Sequence, residues 1–361
     1  MTKKTRGHFL LGGLLAAGLF GGCENDIDSD SLVRELRILS MRAGAPDPGS
    51  AADVLAEVKP GPSGLDLVFT TDHVDLSAMV GAPTGSGRRI TAERPLVYEW
   101  YLCVGPASLF NPGTLDPGCR KWLPSDVEPK QNPALRFVGS GETLALQTAI
   151  LKEVVGSALQ IMLTGSSSGS GGGGTAKLPE KPVSILLPVL VRVRVTPEDR
   201  TNPLDSEVGV SYLRTWIALP GMTLPLANHN PVLVDVVAGP EKDGNKTPLV
   251  PCWKAPCPLN QVKRGQDLHL IGASRAGSAE NYTPQDDTGR GERPETLRYS
   301  WFATDGNFER ERTGDSQPEN LWNSDSKRPP PAETTQATLW LVVQDERGGN
   351  DARRYELAWS K

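Results

Sequence analysis

Leu96-Val97-Tyr98-Glu99-Trp100-Tyr101 and Leu297-Arg298-Tyr299-Ser300-Trp301-Phe302 place Leu, Tyr, Trp and a further aromatic in one order, at a constant offset of 201 residues. Each segment alternates in period two, the pattern of a strand with one face on a core. The match continues on both sides. Leu190-Val191-Arg192-Val193-Arg194-Val195 precedes a turn over Thr196 to Asp205, and Leu339-Trp340-Leu341-Val342-Val343 precedes a turn over Gln344 to Asn350. Beyond each turn lies another extended segment, Glu207 to Leu219 and Arg354 to Trp359. Before the Trp strands, Leu32 to Met41 with Leu65 to Thr70 match Pro231 to Val237 with Asp267 to Gly272. Two copies of one strand order predict two separate pairs of packed sheets, with Trp100 and Trp301 each filling the middle of one.

At the second copy the run Tyr299-Ser300-Trp301-Phe302-Ala303-Thr304-Asp305-Gly306, followed by Val342-Val343-Gln344-Asp345-Glu346-Arg347-Gly348-Gly349, resembles the immunoglobulin-like, PKD-like domains of bacterial surface proteins. The resemblance covers the second copy well and the first more loosely. It implies a sandwich in which a strand-borne Trp packs between two sheets and an Asp-x-x-Gly-Gly hairpin joins the last strands. The expected fold is all-β, with two tandem immunoglobulin-like β-sandwich domains. The first, over 31–224, carries a long insertion that includes a short helix. The second, over 225–361, is the simpler PKD-like sandwich.

Composition points the same way. Among 361 residues there are 38 Gly and 31 Pro, about a fifth of the chain against the usual ~12%, which argues against a helical bundle. At roughly 100–200 residues per domain the length favours two. Lys and Arg number 38 against 43 Asp and Glu, a formal charge of −5. No basic block is present to neutralise a phosphate backbone, so nucleic acid is not an expected partner. No run of 18 or more apolar residues occurs after position 22, so no transmembrane helix is expected beyond it.

Residues 1–22 read as a secretory signal. Lys3, Lys4 and Arg6 form a cationic start, and Phe9 to Phe20 is an apolar stretch too short to span a bilayer. Leu19-Phe20-Gly21-Gly22-Cys23 resembles the lipobox of bacterial lipoproteins, which implies cleavage before Cys23 and acylation of that residue, with palmitate among its chains. More than one chain makes a stable anchor. Removal of 1–22 takes away three positive charges and no negative ones, leaving a more acidic protein. Residues 23–30, from Cys23 through Glu24-Asn25-Asp26-Ile27-Asp28-Ser29-Asp30, form an acidic tether; the seven residues after Cys23 reach at most about 25 Å, so the folded part is expected close to the membrane. Glu24 after the cysteine, by resemblance to lipoprotein sorting rules, favours the outer membrane of the cell envelope.

Five cysteines less the lipid-bearing one leave two local pairs, Cys103/Cys119 and Cys252/Cys257, which fit disulfides in an oxidising compartment. A four-thiolate zinc site is the alternative, but neither pair has the two-residue spacing of a zinc knuckle. The first copy owes its greater length to the stretch between Tyr101 and Val189. Residues 104–133 are a Pro-rich loop, Leu144 to Val155 has helical spacing, Leu159 to Leu163 reads as a returning strand, and Gly165 to Thr175 is a flexible Gly/Ser linker.

Chemistry-bearing residues are few. Gly165-Ser166-Ser167-Ser168-Gly169 and Gly169-Ser170-Gly171-Gly172-Gly173-Gly174 match a nucleophile elbow and a dinucleotide fingerprint in letters only, since neither has the required helix after it. After the signal the histidines are His73, His229 and His269. Asp72-His73-x-Asp75 fits either a metal-binding loop or a solvated turn. The acidic turns Asp286-Asp287 and Asp345 to Asp351 fit either calcium ligation or hairpin-turn acids that accept backbone N–H groups. Of eight tryptophans, Trp100, Trp216, Trp301, Trp340 and Trp359 fall in strand patterns and read as core. Trp122, Trp253 and Trp322 fall in loops rich in Pro, Asn and Ser, where exposed indoles suit a sugar ring or a partner protein. No catalytic set, cofactor or metal site is expected. The reading is a noncatalytic envelope module with a structural or protein-interaction role. The alternative is a glycan-binding accessory module, distinguished by whether Trp122, Trp253 and Trp322 share one exposed face. A third reading, a hydrolase within the long insertion, lacks a histidine between 104 and 190.

Overall fold

The computed structural model describes residues 33, 36–44, 49–61, 64–82, 95–104, 135–164, 184–199, 206–253, 256–263, 265–283, 291–323 and 336–360. The N-terminal half contributes β1 (Arg37–Ala43), β2 (Val54–Gly61), β3 (Gly64–Phe69), β4 (His73–Gly81), β5 (Leu96–Cys103), β6 (Leu135–Ser140), β7 (Thr143–Gln147), helix α1 (Thr148–Thr164), β8 (Ile185–Pro197) and β9 (Glu207–Ala218). The C-terminal half contributes β10 (Leu233–Gly239), β11 (Thr247–Pro248), β12 (Leu259–Lys263), β13 (Leu268–Ser274), β14 (Asn281–Tyr282), β15 (Arg293–Pro294) and β16 (Arg298–Ala303). It continues with β17 (Asn307–Phe308), β18 (Arg312–Gly314), β19 (Glu319–Asn323), β20 (Gln336–Gln344) and β21 (Asn350–Ser360). The fold is all-β with one helix among the described residues.

Strand order repeats between the halves. The sheet β1-β4-β7 corresponds to β10-β13-β19, which is extended by β11 and β17 at its two edges. The run β2-β9-β8-β5-β6, extended by β3, corresponds to β12-β21-β20-β16-β18. In both halves the strand at the start of that run, β2 or β12, pairs in parallel with the last strand, β9 or β21. The sequence match of Leu65 to Thr70 with Asp267 to Gly272 is therefore corrected: the equivalent of β13 is β4. Strand β3 is an added edge that hairpins onto β2, its Leu67 paired with Val58.

Each half has its own core. In β5, Trp100 and Leu102 turn inward to meet Val189, Val191, Val193 and Val195 of β8. In β16, Tyr299 and Trp301 turn inward among Leu339, Leu341 and Val343 of β20. Trp100 and Trp301 are 1% and 0% exposed. A buried indole N–H needs an acceptor. Trp100 Nε1 donates to Gly141 O at 2.8 Å and Trp301 Nε1 to Thr313 Oγ1 at 2.9 Å.

The helix differs from its expected position. Leu144 to Gln147 is strand, because Leu144 and Leu146 keep period two against β4, and the helix runs through the segment 159–163 that reads as a strand in the sequence. Its apolar stripe of Leu151, Val154, Val155, Ala158 and Leu159, at spacings of three and four, closes the N-terminal core. Both the short alternation and the helical stripe share Leu residues over 144–155, so either period fits the sequence there.

Candidate functional site

A cluster of buried polar residues, among them Asp53, Asn228, Asn230, Asp345 and Asn350, lies where the two halves meet. Most of it comes from the ends of the β1–β2 connection, the connector 226–231 and the turn between β20 and β21, with Arg214 and Trp216 of β9 and Glu280 and Glu295 beside them. A connector that crosses a protein interior must find partners for its backbone and side-chain polar groups. Asn228 and Asn230 supply most of them.

Asn228 N–H donates to Asp53 Oδ2 at 3.1 Å, and the same oxygen accepts the Trp216 indole N–H at 2.9 Å. Ala52 N–H donates to Asn228 O at 2.7 Å. On its other side Asn228 Nδ2 donates to Asp345 Oδ2 at 3.1 Å. Asp345 Oδ1 closes its own turn by accepting Arg347 N–H and Gly349 N–H, each at 2.8 Å. A Cβ on Gly349 would lie 2.3 Å from Asp345 Oδ2, so only glycine lets the carboxylate fold back this closely.

Asn230 forms a second tie. Its Nδ2 donates to Ala43 O at 2.7 Å and to Ser50 O at 3.1 Å, while its Oδ1 accepts Asn350 N–H at 2.9 Å. Asn350 in turn reaches β1, donating from Nδ2 to Met41 O and accepting from Ser40 Oγ. Beside them Asp351 accepts Leu233 N–H and the Arg353 guanidinium, with Arg42 at 3.5 Å.

Charge at the junction is uneven. Arg347 pairs with Glu295 and Glu280, and Glu280 also meets His229 Nδ1 at 2.8 Å. Arg214 donates to Arg347 O and sits 3.6 Å from Asp53 Oδ1. Four carboxylates, Asp53, Glu280, Glu295 and Asp345, thus face two guanidinium groups. Burial, reinforced by the Glu295 charge, pushes Asp345 up to about 6 against the opposing bonds from Asn228, Gly349 and Arg347. Burial likewise raises Asp53, with Arg214, Asn228 and Trp216 opposing. Burial pulls the Arg347 guanidinium down, but Glu295 and Glu280 more than offset it and hold it above its ordinary value.

The residues singled out in the sequence are scattered. Cys23, Cys119, Trp122, Asp286-Asp287 and the Gly165 to Thr175 tract lie outside the described residues. Cys103 is buried and disulfide-bonded. Cys252 and Cys257 form a disulfide with Cα atoms 5.0 Å apart. Trp253, inside that loop, is 70% exposed on the surface, with the Arg353 guanidinium 4.2 Å from its ring centroid.

Trp322 corrects the expectation of a loop indole available to a ligand. It lies on β19, is 0% exposed, stacks on Trp359 at 5.4 Å and donates to Asp305 O. Its inward direction comes from period two in a five-residue strand whose other inward residue is the polar Asn320. A shared exposed face for Trp253 and Trp322 is therefore absent.

The acids of the last hairpin serve as turn and ion-pair acids, as the geometry of Asp345 and Asp351 shows. His73 starts β4, exposed, with Nε2 3.7 Å from Asp75. Among the described residues no group of three His, Cys, Asp or Glu side chains is placed to hold a metal. The junction itself was missed in the sequence. Its one signal is the run Asn228-His229-Asn230-Pro231 between apolar segments, polar turn formers that no local pattern assigns to an interior. No protein-family model matches the chain, and no curated protein is similar enough to count as a relative.

Proposed function

We propose that this chain is a noncatalytic envelope lipoprotein, attached to the outer membrane through acylated Cys23 and acting as a structural or protein-interaction module. In this reading its two halves are tandem immunoglobulin-like units, the second PKD-like, held as one stiff arm. The observation that carries the reading is the buried tie at Asn228 and Asn230. Independent domains are joined by exposed linkers that few contacts cross, and relative motion is then the default. Here the connector is instead hydrogen-bonded on both sides, to Asp53, Ala43 and Ser50 in one half and to Asp345 and Asn350 in the other. Such a tie suits a protein that presents surfaces at a set position and orientation.

Two measurements test it. Feeding cells a palmitate analogue should label the wild-type chain and leave Cys23→Ser unlabelled; equal labelling removes the anchor. Spin labels placed on exposed strand positions of β6 and β12 should give one narrow distance distribution; a broad one removes the stiff arm. The glycan-platform alternative has lost Trp322 to the core, and among the described residues the exposed indole of Trp253 does not by itself make a sugar platform.

A further inference from the structure

Asp345 uses its two carboxylate oxygens differently. Oδ1 is committed to the Arg347 and Gly349 N–H groups, each at 2.8 Å, whereas among the described residues Oδ2 meets only the Asn228 amide, at 3.1 Å. Asn228 is fully buried, and its Oδ1 receives no hydrogen bond among the described residues. A primary amide carries donors and an acceptor on one flat group, so half a turn about its last side-chain bond exchanges Nδ2 and Oδ1. After that turn, the unused acceptor faces the one Asp345 oxygen able to carry a proton.

The charged groups around Asp345 favour that proton. Arg347 comes from its own turn, Glu280 and Glu295 from the segments flanking β14 and β15, His229 from the connector, and Asp53 with Arg214 from the N-terminal half. His229 is half exposed and engaged with Glu280. Two guanidinium groups leave the four carboxylates under-compensated in a place water does not screen well.

We propose that the junction is a proton-responsive latch: Asp345 takes up a proton on Oδ2, and Asn228 rotates its amide so that its Oδ1 accepts it, keeping the two halves joined as the medium acidifies. The proton does not break the tie. It replaces an N–H to carboxylate bond with an O–H to carbonyl bond between the same two residues.

Linkage sets the sign. With Asp345 raised from 3.8 to about 6, the folded chain holds a proton that the unfolded chain has released over that interval. Stability from this group is therefore fully present below about pH 4 and is lost as pH rises through about 6, a change of roughly 100-fold in the folding equilibrium. Asp53, also raised, acts in the same direction.

Asp345→Asn in the full chain tests the latch. An amide at 345 keeps an oxygen for the two backbone N–H groups and presents a permanent donor to Asn228 Oδ1. Relative to this variant, the wild type should gain roughly 100-fold in folding equilibrium between pH 7.5 and 4; a difference constant with pH overturns the proposal. Should the variant fail to fold, the carboxyl carbon resonance of Asp345 in the wild-type chain gives a second reading. A midpoint near 6 that falls in Glu295→Gln supports the latch, and a midpoint below about 4.5 overturns it. Calcium added at pH 7.5 should leave wild-type stability unchanged. A calcium-dependent gain that disappears in Asp345→Asn would mean the excess charge holds a cation and not a proton.

Discussion

Asn350 donates its backbone N–H to Asn230 Oδ1 at 2.9 Å, across 120 residues of chain. Both are asparagines because each must give and take within a small volume. Asn230 gives to β1 and its adjoining kink while taking from the last hairpin, and Asn350 gives to Met41 O while taking from Ser40 Oγ. Neither aspartate, which cannot donate when ionised, nor an apolar residue fills both roles. The repeated strand orders of the halves are thus joined through the connector residue Asn230, which bonds to β1 on one side and to the start of β21 on the other.

Asn230→Ala should therefore cost more than one hydrogen bond. It leaves Ala43 O and Asn350 N–H buried without their partner, at about 1–3 kcal/mol for each group that water cannot reach. Differential scanning calorimetry is expected to show a lower first transition and a separation of the halves into two steps. An unchanged single transition would show that the tie does not couple them.

The tryptophans give a second contrast. Trp322→Ala empties a fully buried site against Trp359 and should lose about 3–5 kcal/mol in urea denaturation. Trp253→Ala removes an exposed indole that lies against the Arg353 guanidinium and should lose no more than about 1 kcal/mol. Similar losses for both would contradict the opposite burial of the two indoles.

What the sequence made legible was the part governed by period. The segments around Trp100 and Trp301 and the Val-Arg-Val-Arg-Val run of β8 alternate, and β20 is an apolar run, so the two cores came through, while the strand order came through except at Leu65 to Thr70, which is an added edge. Trp322 did not, because its strand is five residues long and spends its other inward position on Asn320, whose side chain bonds the Arg310 backbone. The start of α1 was blurred because Leu144 and Leu146 satisfy a strand while the residues after them satisfy a helix. The junction was illegible for a deeper reason. Asn228, Asn230 and Asp345 are buried by contacts across 175, 187 and 117 residues, and a local window sees only polar turn formers.

Gly44 marks where β1 leaves its sheet for the kink that Asn230 holds. Its φ is +105°, and a Cβ there would lie 2.3 Å from Ala51 O and 2.8 Å from Asn230 Nδ2. Gly44→Ala combines left-handed backbone strain of about 1–2 kcal/mol with a backbone clash that costs about 1–3 more. Urea denaturation should show a loss of at least about 2 kcal/mol, and amide exchange should rise first at Ala52 and Asn230, whose N–H groups bond across this kink. Protection unchanged at those two amides would count against the kink as the weak point.

The Cys252–Cys257 loop should matter to the second half alone. It is fastened to β21 by the Cys252 N–H to Arg354 O bond at 2.7 Å, and it carries Trp253 onto Arg353. Cutting a loop this short releases roughly 2 kcal/mol of denatured-state entropy in the chain-closure account. In the Asn230→Ala background, where the halves are expected to unfold in two steps, the double variant Cys252→Ser with Cys257→Ser should lose about that amount in the transition of the C-terminal half and leave that of the N-terminal half in place, because no described residue of the loop enters the core around Trp100. Using serines and not a reductant keeps the disulfide at Cys103 intact, so a fall in both transitions would show that the halves stay coupled without Asn230.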